Sequence, residues 1–143
     1  MKKIVHTILT VILGVFFIYK GVDKLPIKLK DVSKEEIMET IVDNGSYEAP
    51  VGYKITMNTM RQSGFLRLIS CFQILSGLLM LIPRTRMVGL LLLLPIIFNI
   101  FFMHVFFDNR MHENIETGIL LALNILLCSY YYKRLIQIFY LEK

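Results

Sequence analysis

The residues of this chain that could do chemistry lie mostly inside or beside long apolar stretches. His104 and Asp108 stand four apart, which puts both on one face of a helix. A carboxylate at that spacing can orient an imidazole and raise its basicity, as proton transfer or ligand binding would need. The plainer alternative is an interfacial polar pair that closes a helix end. Asn99 follows Pro95 by one turn. The proline removes a backbone donor and frees a carbonyl near Leu91, so the amide can serve the backbone, a facing helix or a ligand. Ser70, Gln73, Ser76 and Gly77 recur at helical spacing. They read as a packing face of small and hydrogen-bonding residues, or as one polar wall of a pocket opposite Asn99. Asp23 and Lys24 lie at the depth where His104 and Asp108 emerge. The candidate ligand-binding set is therefore His104, Asn99, Asp108, Gln73 and Asp23.

Other reactive groups point to less. His112, Glu113 and Glu116 are close in sequence but match no metal signature, and neither a metal nor another cofactor is expected. Cys71 and Cys128 form no CxxC pair, and both fall in apolar stretches where a thiolate is disfavoured. They read as packing residues. No Ser-His-Asp arrangement, phosphate loop or facing pair of haem-ligating histidines is present. These residues lean away from an enzyme.

The elements that must position these residues are apolar helices. Of 143 residues, 55% are hydrophobic and 19% charged, against roughly half and a quarter in soluble domains. Mean hydropathy is +0.59. The excess falls in four blocks, about 4–19, 65–82, 87–107 and 115–132. They are continuous runs rather than alternating ones, so they read as spanning helices and not barrel strands. The first and fourth are short unless Lys20 and Lys133 snorkel. Lys2 and Lys3 precede the first block like a signal peptide, but no small-residue cleavage site follows, so an uncleaved helix is expected. The expected fold is all-α: one domain over residues 1–143, a four-transmembrane-helix up-down bundle with a long helical loop between helices 1 and 2. Its partner is the lipid bilayer. The net charge of +5 flanks the apolar blocks and reads as membrane anchoring, not as nucleic-acid binding.

The loop, about 20–64, holds seven basic and seven acidic residues. Ser33 with Glu36 makes a capping box, and Ile37 and Ile41 continue it as a short amphipathic helix ending near Asn44-Gly45. Residues 49–52 break the chain, which becomes helical again from Tyr53 and runs into the second span. The loop reads as a cap on the bundle mouth. Pro83 to Arg86 joins the second and third spans tightly, so these are antiparallel neighbours. Arg84 and Arg86 in that turn, with Lys2 and Lys3, face only Arg110 among the short connections. The positive-inside rule then puts both termini in the cytoplasm and the long loop outside.

The stretch from Arg67 to Asp108 resembles the DoxX-like group of small bacterial four-helix membrane proteins. Gly77 with Leu78, Leu79 and Leu81 carries the likeness in the second helix. Pro95, Asn99, Ile100, His104, Phe106 and Asp108 carry it in the third. The pieces KGVDKL and MNTMRQSGF add to it. Gln73 stands where the family's second-helix glutamate is expected, so hydrogen bonding survives there but ion pairing does not. The resemblance implies a multi-pass protein of the bacterial inner membrane, more firmly than it implies an activity. Three functions fit: a noncatalytic membrane subunit with a protein partner or a second copy of itself; a binder of, or enzyme acting on, a small lipophilic molecule such as a quinone or lipid; and a toxin-immunity or defence factor.

Overall fold

The computed structural model describes residues 2–29, 33, 35, 38, 39 and 51–140. The apolar blocks are too long for strands, and each forms a helix despite an internal glycine and, in the third, Pro95. Helix α1 spans Lys2–Leu29, α2 Val51–Gln62, α3 Phe65–Leu81 and α4 Arg86–Met103. A π-helical turn, His104–Asp108, extends α4; α5 follows over Met111–Ser129 and α6 over Tyr132–Tyr140. No strand occurs among the described residues.

Three boundaries differ from the sequence expectation. The first helix does not stop at Tyr19 but carries Lys20, Asp23 and Lys24 on further turns. Nothing in Lys20-Gly21-Val22-Asp23-Lys24 breaks a helix, and the Lys20 ammonium settles 5.6 Å from the Phe16 ring centroid. The chain beyond residue 52 does not run straight into the second span. It bends by 78° between α2 and α3. Gly64 makes the corner with φ of 77°, a left-handed conformation that glycine adopts without steric cost. The fourth block ends at Ser129, and a short turn at Tyr130-Tyr131 separates it from α6. The expected helix through Ile37 and Ile41, its capping partner Glu36 and its end at Asn44-Gly45 lie outside the described residues.

Two helices are long and apolar enough to cross a membrane, Lys3–Leu25 and Arg86–Asp108, and the bent pair α2–α3 makes a third if it is one span. Helix α5 falls short because His112, Glu113, Asn114 and Glu116 occupy its first turns. The radial pattern supports a lipid environment. Large apolar side chains point outward, among them Ile8, Ile12, Tyr19, Leu78, Phe98 and Leu126. The interior holds an apolar cluster of Leu13, Phe17, Met80, Leu90, Leu93 and Ile97, and it also holds polar groups. Thr10, Ser70, Ser76 and Asn124 are completely buried.

Helix α3 is the middle element. It packs on α1 and α4, and α4 packs on α5. Small residues set the spacing. A β-carbon on Gly77 would lie 2.5 Å from the Gly14 carbonyl oxygen and 2.6 Å from Ile18. One on Gly89 would lie 2.7 Å from the Ser76 carbonyl oxygen. Backbone therefore meets backbone along both faces of α3, as in close helix pairs within membranes.

This packing reverses an ordinary expectation. Gly→Ala inside an exposed helix stabilises by about 1 kcal/mol. Gly77→Ala should instead destabilise by about 1–3 kcal/mol through overpacking, measured by thermal unfolding in detergent. A rise in melting temperature would contradict the close α1–α3 contact.

Candidate functional site

The C-terminal end of α4 gathers charge around one buried carboxylate. The side chain of Asp108 is fully buried. It accepts a hydrogen bond from His104 Nδ1 at 2.9 Å, and Arg110 closes on it through Nε at 2.9 and 3.1 Å and through an Nη at 2.9 Å. The Asp108 carboxylate and its hydrogen bond raise the Arg110 guanidinium above its ordinary pKa, against an opposing desolvation. Arg110 reaches on to Glu113 at 3.4 Å. The spacing of His104 and Asp108 anticipated their contact. The Asn109 N–H donates to the His104 carbonyl at 2.6 Å, closing the wide turn, and Asn109 takes the left-handed conformation with φ of 52°. That reversal brings Arg110 back over Asp108. π turns of this kind recur at functional sites.

The pairing fixes the chemistry of the imidazole. A carboxylate engaged by a guanidinium can only accept, so His104 Nδ1 carries a proton. In the neutral ring Nε2 then keeps its lone pair for another group. The ring of Tyr53, from α2, lies 6.1 Å away, centroid to centroid.

Beneath His104 is a cavity of about 90 Å³. Gln73 from α3, Phe16, Phe17, Lys20 and Lys24 from α1, and Glu113, Glu116 and Thr117 from α5 wall it with His104. Most buried hydroxyls nearby are satisfied within their own helices. Ser70 donates to the Leu66 carbonyl, Ser76 to Phe72 and Thr117 to Glu113, at 2.7–2.9 Å. Gln73 is different. It is 2% exposed, and its Oε1 has no hydrogen-bond partner among the described residues. An unpaired buried amide oxygen costs about 1–3 kcal/mol. Asn58 Nδ2, Asn114 Oδ1 and Asn124 Nδ2 are buried amide atoms in the same position, although the Asn124 Oδ1 accepts a weak bond from the Cys128 thiol at 3.5 Å.

The candidate residues therefore separate. His104, Asp108 and Gln73 converge on one region. Asp23 is exposed on α1, and its neighbour Lys24 lines the cavity. Asn99 is exposed and donates to the Pro95 carbonyl at 2.8 Å, a bond within α4 and not across to another helix. It borders a separate apolar groove of about 350 Å³, lined by Met60, Phe65, Phe72, Pro95 and Ile100. Ile100 stands at both the groove and the polar cavity. Cys71 is exposed and Cys128 buried, both as free thiols. Among the described residues no group of three or more histidines, cysteines and carboxylates is placed to hold a metal.

Sequence reasoning left out Arg110 as the partner of Asp108, and Lys20, Thr117 and Tyr53 as neighbours of the site. Arg110 had a signal in its position two residues beyond a buried acid. Thr117 shows none, because its place depends on how α5 meets α1 and α3. No protein-family model matches the chain, and no curated protein and no solved structure matches it.

Removing one partner of a buried ion pair leaves a charge without compensation. Arg110→Gln should lower stability by about 3 kcal/mol, and adding Asp108→Asn should recover most of the loss. Chemical unfolding of the two variants in detergent measures this. Equal stability of Arg110→Gln and the unmodified protein would contradict the pairing.

Proposed function

We propose that this chain is a four-span membrane protein of DoxX-like type, with both termini cytoplasmic, that binds a small lipophilic molecule bearing a polar head. The observation that carries the reading is that Gln73, whose buried Oε1 has no partner among the described residues, walls one cavity with His104. The two groups are complementary in what they offer. His104 Nε2 can accept a hydrogen bond from a hydroxyl, and Gln73 can accept through Oε1 or, with its amide rotated, donate to a carbonyl. The cavity of about 90 Å³ admits a head of a few atoms and no more. The apolar groove on the far side of Ile100 suits the remainder of such a molecule. A quinone or a lipid has this division into polar head and apolar body. We read the site as one of binding, because the proton on Nδ1 is held by Asp108.

Native mass spectrometry of the detergent-purified protein tests this with decyl-benzoquinone as an added probe. The unmodified protein should carry a one-to-one adduct, co-purified or formed with the probe. Gln73→Leu, which keeps the volume and removes the amide, should lose it while unfolding at the same or a higher temperature. Absence of any adduct on the unmodified protein, or equal adduct on Gln73→Leu, would overturn the reading.

A further inference from the structure

A second constellation lies at the opposite end of the bundle, where α1 begins, α4 begins and α5 gives way to α6. A groove of about 610 Å³ there is walled by Lys3, His6, Arg86, Tyr130, Lys133 and Arg134 among others. Four of these are permanent cations, and no carboxylate lines the groove among the described residues. The geometry points to a binding site for the phosphate of an anionic membrane phospholipid, with the headgroup in the groove and the acyl chains along the adjoining outer faces of the helices.

The groove is built rather than incidental. Arg86 is fixed by two hydrogen bonds, Nε to the Met80 carbonyl at 3.1 Å and Nη1 to Thr7 Oγ1 at 3.0 Å. Its Nη2 has no protein partner among the described residues. A guanidinium held in this way spends little entropy on receiving a phosphate oxygen. His6 is 8% exposed and meets the Leu127 carbonyl through Nε2 at 3.2 Å. Its ring stacks on Tyr130 at 4.1 Å and meets Tyr131 edge-on at 5.2 Å. These contacts tie α1 to the α5–α6 turn and fix one wall. Lys133 lies 6.0 Å from the ring of Tyr132, and with Arg134 it opens the first turn of α6.

Position decides between a lipid and a soluble anion. Ile4, Ile8, Tyr132 and Ile136, on the helices that wall the groove, are exposed among the described residues. A soluble phosphate would use the cations and leave that apolar rim idle. A phospholipid uses both. The charge excess selects among lipids, because each Lys or Arg near the surface favours a net anionic headgroup over a zwitterionic one. This site is distant from Gln73 and shares no residue with its cavity, so it stands independently of the binding function proposed above.

The test uses the full chain in detergent with equal amounts of phosphatidylglycerol and phosphatidylcholine, and native mass spectrometry counts the lipids retained. The unmodified protein should retain phosphatidylglycerol in preference. Lys133→Gln/Arg134→Gln, whose side chains hold no structural hydrogen bond, should weaken that retention about tenfold or more. Lys54→Gln, at the other end of the molecule, should leave it unchanged, and excess inorganic phosphate should not displace the lipid. Equal retention of the two lipids would overturn the proposal. So would equal losses from the two variants, or displacement by inorganic phosphate.

Discussion

Helices α1 and α3 approach as closely as they do because Gly14 and Gly77 set backbone against backbone. In lipid, apolar burial gives little drive to join apolar helices, so close packing and internal hydrogen bonding must supply it. The contact has consequences along the whole helix pair. It buries Ser70, Gln73 and Ser76 in a strip between helices. The two serines bond back to their own helix one turn earlier, a solution open to a hydroxyl. A glutamine on a longer stem reaches past the backbone into the space that α1, α4 and α5 leave. The cavity thus follows from placing a long amide in a seam otherwise made of small residues.

The second dependence runs through Asp108. A fully buried carboxylate is tolerable because Arg110 and His104 both engage it. Those bonds close the C-terminal end of α4, set the tautomer of His104 and couple it to the turn before α5. The two ends of the bundle therefore differ in kind. Beside the C-terminal end of α4 the buried acid meets the Arg110 guanidinium, and their charges largely cancel. At the opposite end no acid among the described residues faces Arg86, Lys133 and Arg134 in the groove.

Spacing made some of this legible and left the rest hidden. The four apolar blocks declare helices, and the two-turn recurrence of Ser70, Gln73 and Ser76 declares a buried face. The interval of four between His104 and Asp108 declares a pair. What spacing could not show depends on single backbone angles or on tertiary meeting. The positive φ at Gly64 turns one expected continuous helix into two at 78°. The positive φ at Asn109 brings Arg110 onto Asp108. Asn99 is near enough to Pro95 to bond its carbonyl within the same helix, so it turns away from Gln73 and His104. Glu113, Glu116 and Thr117 reach the cavity only through the docking of α5, which leaves no local trace. His6 is one polar residue in an apolar run, and its stacking on Tyr130 joins positions 124 residues apart in the chain.

In the binding function proposed above, the Gln73 amide completes its hydrogen bonding with a guest and not with the protein. An experimental structure of the chain in a lipid bilayer, at a resolution that separates ordered waters, tests this most directly. Continuous density is expected in the cavity, larger than water and in hydrogen-bond range of both the Gln73 amide and His104 Nε2. Discrete water peaks alone, or a Gln73 amide bonded to a neighbouring side chain across a closed cavity, would contradict it.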